Sequence, residues 1–184
     1  GQIREIVRAV RERLPGAGIG AHMHNDSECA VANSLVLLEE GGRHVQGTIN
    51  GWGERCGNAN LCSIIPALIL KQGFSAGVDK ARLAGLKDIA GAISEIANIK
   101  LDSHQPYVGR SAFAHKGGVH VSAMQRNRKT YEHIEPERVG MNHLVDLPAC
   151  CQAHGLRLHA GGENTALCVG AAPANIAPDG GAAP

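Results

Sequence analysis

Twice between residues 18 and 70 the chain runs through the same order: a short small-sided or apolar stretch, a polar loop, and a longer segment with helical spacing. Gly18 to His22 reads as a buried strand, Asn25-Asp26-Ser27 as capping side chains, and about Cys29 to Glu40 as an apolar helix stopped by Gly41-Gly42. His44 to Ile49 reads as a second strand, the Gly-rich stretch from Asn50 to Gly57 as a loop, and Asn58 to Leu70 as a further helix. Strands that alternate with helices pair in parallel, because the helix carries the chain back across the sheet. The fold class is therefore α/β, as an open sheet or a closed (β/α)8 barrel. A closed barrel takes ~250 residues, so two visible units are a part of one at most.

Before these units, Ile3, Ile6, Val7, Val10 and Leu14 recur at helical spacing up to Pro15-Gly16, which predicts an opening helix. After them the pattern from about Lys80 to Ile99 is again helical, and the polar, Pro-containing run from Leu101 to Tyr107 marks a boundary. Beyond it lie a segment rich in His and Gly, from Phe113 to Met124, and a charged one with Pro136. After Gly140 the composition turns to Ala, Gly, Pro, Cys and His with little periodicity.

Eighteen Lys and Arg against seventeen Asp and Glu leave a net charge of +1. No field of that size draws in nucleic acid or an anionic membrane, and small metabolites are the expected partners. No apolar run approaches the ~20 residues of a membrane span, and the first residues lack the form of a targeting segment. A cytoplasmic location is expected. Cys29, Cys56 and Cys62 form no CxxC pair and read as reduced core thiols. Aromatic residues make up 3% of the chain, low for a domain that must fill its own core, as a fragment of a larger fold would be.

His22 and His24 are separated by one residue at the end of the first strand, so their side chains share a face and can reach one ion. The competing explanation is a pair of surface histidines beside a helix cap, since Asn25 and Asp26 suit a cap equally well. The loop Asn50-Gly51-Trp52-Gly53-Glu54-Arg55-Cys56-Gly57-Asn58 brings a carboxylate, a guanidinium and an amide to the end of the next strand. Its glycines permit close approach of backbone to a ligand. Consecutive strand ends are neighbours in a parallel barrel, which puts this loop beside the histidines.

The pair HxHND and GxGERxGN, in this order and spacing, resembles the isopropylmalate, homocitrate and citramalate synthases, a family of metal-dependent acyl-CoA condensing enzymes. The resemblance covers roughly residues 1 to 140. It implies the C-terminal part of a (β/α)8 TIM barrel over residues 1–100, a small α-rich linker subdomain over 101–140, and a divergent, poorly ordered tail over 141–184. By the same resemblance His22, His24 and Asn58 are metal ligands, with a fourth, an Asp on the first barrel strand, outside this chain. Glu54 would support the site in a catalytic capacity, and Arg55 and Asn25 would face substrate. Nitrogen and oxygen donors of this kind suit Mn, Mg, Zn or Co without selecting one.

A third cluster, Gly109 to His120, is similar to the segment after the barrel in these synthases. There a histidine reaches an active site, often that of the partner subunit of a homodimer, and His120 matches it. The family commonly has Gln-Asp next, where this chain has Val121-Ser122, so a carboxylate at position 122 is missing. His115 and His133 read as structural. The wording from Ser103 to Ile134 is more similar to the citramalate branch than to the isopropylmalate branch. The implied reaction joins the methyl carbon of acetyl-CoA to pyruvate and releases citramalate, with His120 as the acid–base group. The alternatives are isopropylmalate or homocitrate synthesis, a carbon–carbon lyase on the same fold, and a metal-binding piece without turnover. The last is expected of this chain on its own.

Overall fold

The computed structural model describes residues 1–115 and 117–145. The expected tail falls, from residue 146 on, outside the described residues. Chain contacts define two units, one of Gly1–Ala112 with Pro136–Asn142, the other of Phe113–Glu135 with the described residues from His143 to Val145. The described architecture is mixed α and β.

In the first unit helix α1 spans Gln2–Arg13 and buries Val7. Arg4 and Arg8, one turn apart, reach the end of the next helix: Arg4 pairs with Glu39 at 2.8 Å and with Glu40, and Arg8 meets Glu40 at 2.7 Å. Strand β1 (Gly20–His22) leads into helix α2 (Ala30–Glu39), and strand β2 (His44–Gln46) follows. The two strands are parallel, with Gly20 opposite His44, Ala21 opposite Val45 and His22 opposite Gln46. This is the crossover that the sequence predicts. The strand is less buried than expected, with Gly20 and His22 exposed and Ala21 half-buried, because among the described residues it has a single neighbouring strand.

The helix α2 starts because the Asn25 side-chain oxygen accepts from the Ala30 amide at 3.1 Å. It ends at Gly41, where the Gly41 and Gly42 amides bond back to Leu38 and Leu37. Its inner face packs Ala30 against Ala59, Ile64 and Leu68, with Met23, Val31, Leu35, Leu38 and Val45 around them. Small and aliphatic residues fill this core, consistent with the few aromatics of the chain.

The third helix begins later than the spacing suggests. Asn58 lies in an isolated bridge with His24, and Asn60 is the cap, its side chain accepting from the Cys62 amide at 2.9 Å. Helix α3 (Leu61–Pro66) then widens into a π-helical turn over Ala67–Gln72. Pro66 carries no amide hydrogen for the regular ladder, which favours that widening. Of the three cysteines expected in the core, Cys62 is buried and Cys29 and Cys56 are exposed. Cys29 is the N-cap residue of α2 and Cys56 sits in a turn, positions where an apolar neighbour in sequence does not imply cover.

Lys80–Gly85 is a 3-10 helix capped by Asp79, and helix α4 continues over Leu86–Ala97. Asn98 closes it at φ 51°, a left-handed position that Asn tolerates. In the second unit strand β3 (Ala114–His115) pairs in parallel with strand β4 (Leu144–Val145), and helix α5 spans Gly118–Arg126, burying Val121 and Met124. No described helix is long and apolar enough to cross a membrane.

Candidate metal and substrate site

The end of β1 and the loop after β2 are tied together by backbone. The Asn25 amide donates to Gly57 at 2.9 Å, and the Ala59 amide donates to Met23 at 3.0 Å. These bonds bracket Asn58 and set it opposite His24 in an antiparallel bridge. The Asn58 amide nitrogen donates to His22 Nε2 at 3.1 Å. Accepting that bond makes Nε2 the unprotonated ring nitrogen, the form that binds a cation. The His22 and His24 rings meet edge to face with centroids 5.0 Å apart. Both histidines are exposed, whereas Asn58 is buried. The three residues expected to ligate a metal therefore converge.

The loop has the shape it has because two glycines leave room. A methyl group at Gly53 would lie 1.8 Å from the Asn58 side-chain oxygen, and one at Gly57 would lie 2.0 Å from the Gly51 carbonyl. Gly57 also has φ +88°, a conformation that an L side chain rarely adopts. Beneath the loop, buried Asn50 donates from its side chain to the Ala90 carbonyl at 2.9 Å. Its side-chain oxygen accepts from Gln105 at 3.2 Å and from the Cys62 thiol at 3.6 Å. Burial pushes that thiol's pKa up, so Cys62 serves as a neutral donor.

The remaining expected residues have other partners. Arg55 grips Asp26 with two bonds of 2.7 and 2.9 Å, and holds that carboxyl below the usual carboxylate range. Glu54 lies 3.9 Å from Arg55, with its side chain 87% exposed. Asn25 is half-buried and spends its side-chain oxygen on the α2 cap. His120 lies in the second unit, exposed, with its ring stacked on Tyr131 at a centroid distance of 4.2 Å. That stack has no signal in the sequence, since neither residue's spacing marks them as a pair.

The second unit holds a cluster that sequence reasoning missed. The ligand atoms of His115, Glu132 and His143 all lie within 4.8 Å of one another. His115 reads as structural from sequence, and nothing in the spacing of the three positions connects them.

Comparisons with known proteins agree with the motifs. Residues 1–90 match the family described as HMGL-like, and residues 107–149 match the homocitrate synthase post-HMGL domain-like family. The chain belongs to the family of the citramalate and isopropylmalate synthases. Within it, the chain is 58% identical over 139 residues to the (R)-citramalate synthases of Geobacter sulfurreducens and Aquifex aeolicus, a stretch that is 76% of this chain and 26% of each relative. It is 35% identical over 139 residues to a 2-isopropylmalate synthase of Haemophilus influenzae, 74% of this chain and 27% of that protein. The chain thus spans about a quarter of the length of the curated relatives it matches.

Proposed function

We propose that this chain forms the metal-site part of a synthase that condenses acetyl-CoA with pyruvate to give citramalate. The observation that carries the reading is the convergence of His22, His24 and Asn58 at one strand end, in a chain more similar to (R)-citramalate synthases than to isopropylmalate synthases. The fold reading that goes with it is the C-terminal part of a (β/α)8 barrel over residues 1–100, followed by a linker subdomain.

The donor set fits a divalent ion. Two exposed imidazoles and one amide stand together, and Gly53 leaves the Asn58 amide a cradle that a methyl group would fill. His22, His24 and Asn58 would hold the ion, with Asn58 turning its amide so that the oxygen is the ligand. A divalent ion in that place supplies Lewis acidity to the carbonyl of the 2-oxo acid. Arg55, fixed by Asp26, has guanidinium hydrogens left to take the carboxylate of the same substrate. Asn25 would offer its side-chain nitrogen to the substrate, its oxygen being taken by the α2 cap, and Glu54, which is exposed, would add a carboxylate for proton exchange with water.

The bond-forming step needs a base to take a proton from the methyl carbon of acetyl-CoA. His120 fits that need, because an imidazole can both take and return a proton and Tyr131 stacks on its ring. In a homodimer His120 would serve the site of the second subunit. Ser122 supplies no charge there, so His120 acts without the neighbouring carboxylate common in the family.

The test is a condensation assay on the complete enzyme with Mn²⁺, acetyl-CoA and a series of 2-oxo acids. Citramalate from pyruvate is expected, with chelation abolishing turnover. His120→Ala should lower kcat by roughly 10²–10⁴ with little change in KM. Preference for 2-oxoisovalerate over pyruvate would move the assignment to the isopropylmalate branch.

A further inference from the structure

The cluster in the second unit has the composition of a metal site and shares no residue with the one above. His115 lies on β3, Glu132 follows α5, and His143 precedes β4. Glu132 is buried, with its side chain 4% exposed, and its carboxylate meets His143 Nδ1. A carboxylate removed from water needs a partner, and the His143 ring supplies one. That pair accounts for two of the three groups. It does not account for His115, whose Nε2 is fully covered and has no hydrogen-bond partner among the described residues. A buried ring nitrogen without a partner is uncommon in folded proteins and calls for a reason.

We propose that His115, Glu132 and His143 form a second divalent-cation site, of the zinc type, that ties β3, the segment after α5 and the approach to β4 together. Two imidazoles and one carboxylate are a frequent zinc donor set, with a fourth position for water. Ligands of one tetrahedral zinc stand about 3.3 Å apart, given bonds of about 2.0–2.1 Å. The three ligand atoms here lie within 4.8 Å of one another, so reaching that spacing takes a closure of about 1.5 Å at most. The ion would give His115 Nε2 a partner and would stand in place of the direct contact between Glu132 and His143. Burial holds the His115 imidazole below the ordinary histidine range, against the pull of Glu132.

The site is tested by Zn²⁺ titration of the chain carrying His22→Ala and His24→Ala, which removes the other histidine cluster. One equivalent of Zn²⁺ is expected to bind, and adding His115→Ala should weaken it at least about tenfold. X-ray absorption of the Zn²⁺-loaded chain, with the three residues intact, should give a nitrogen and oxygen shell at about 2.0–2.1 Å with imidazole scattering. That spectrum decides the matter even if His115→Ala fails to fold. Absence of binding, unchanged affinity in a folded His115→Ala chain, or a sulfur shell at about 2.3 Å from cysteine ligation overturns the site.

Discussion

His22 and His24 stand two residues apart at the end of one strand, open to solvent, whereas His115, Glu132 and His143 come from three separate segments and are largely covered. The first cluster is held from below by its surroundings: the Asn25–Gly57 and Ala59–Met23 backbone bonds, the turn at Gly57, and the side-chain bonds of Asn50 under the loop. The second is held by its own side chains, above all by the contact of Glu132 with His143. An open cluster on a rigid frame can admit a substrate and exchange it. A covered cluster that joins three segments can hold them, and has little room to do more.

That contrast is broken or sharpened by substitution. The largest effect is expected at Gly57, where alanine must meet the Gly51 carbonyl and adopt φ +88°. Gly57→Ala should lower stability by about 3 kcal/mol in urea unfolding. Gly117→Ala, in the loop before α5, meets nothing nearer than 3.8 Å and should stay within about 0.5 kcal/mol. Equal effects at the two positions would remove the claim that backbone frames the first cluster alone. Asn50→Ala comes next, at about 2 kcal/mol, since it strips the Ala90 carbonyl and Gln105 of their partner. Glu132→Gln should remove about 1.5 kcal/mol by the same reading of unfolding curves, because a neutral amide replaces the carboxylate that His143 meets.

The smallest effect is a difference in acid response. His115 in the folded chain has a pKa below its ordinary 6.5, so its contribution is complete above pH 6.5 and is lost as pH falls through the folded value. Glu40, pushed down to about 2 by Arg8 and Arg4 from an ordinary 4.5, contributes fully above pH 4.5 and loses that contribution between there and about 2. Amide NMR spectra recorded down a pH series should therefore change around His115 before they change where α1 meets α2. The reverse order would show that the second unit is not held by its titratable groups.

Why the first cluster could be read from sequence and the second could not follows from the same contrast. His22, His24 and Asn58 announce themselves because strand alternation and a glycine loop are local patterns, and parallel pairing then makes them neighbours. The crossover from β1 through α2 to β2 was legible for that reason, as was α1. The start of α3 was not: Asn58 and Asn60 are both good caps, and only the bridge to His24 decides between them. Helix α5 was hidden behind Gly117, Gly118 and Val119, residues that disfavour helix unless packing of Val121 and Met124 imposes it. The exposure of Cys29, at the start of α2, and of Cys56, in a turn, depends on local geometry that composition does not carry. His115, Glu132 and His143 are separated by 17 and 11 positions, and no local period relates them.

The central claim is that His22, His24 and Asn58 hold one divalent ion together. An anomalous difference map from Mn²⁺-loaded crystals tests it most directly. The predicted result is a peak bound by both imidazoles, with the Asn58 amide turned so that its oxygen replaces the nitrogen now facing His22. A peak that leaves out either histidine, or no peak there while the Asn58 nitrogen still donates to His22, would contradict it.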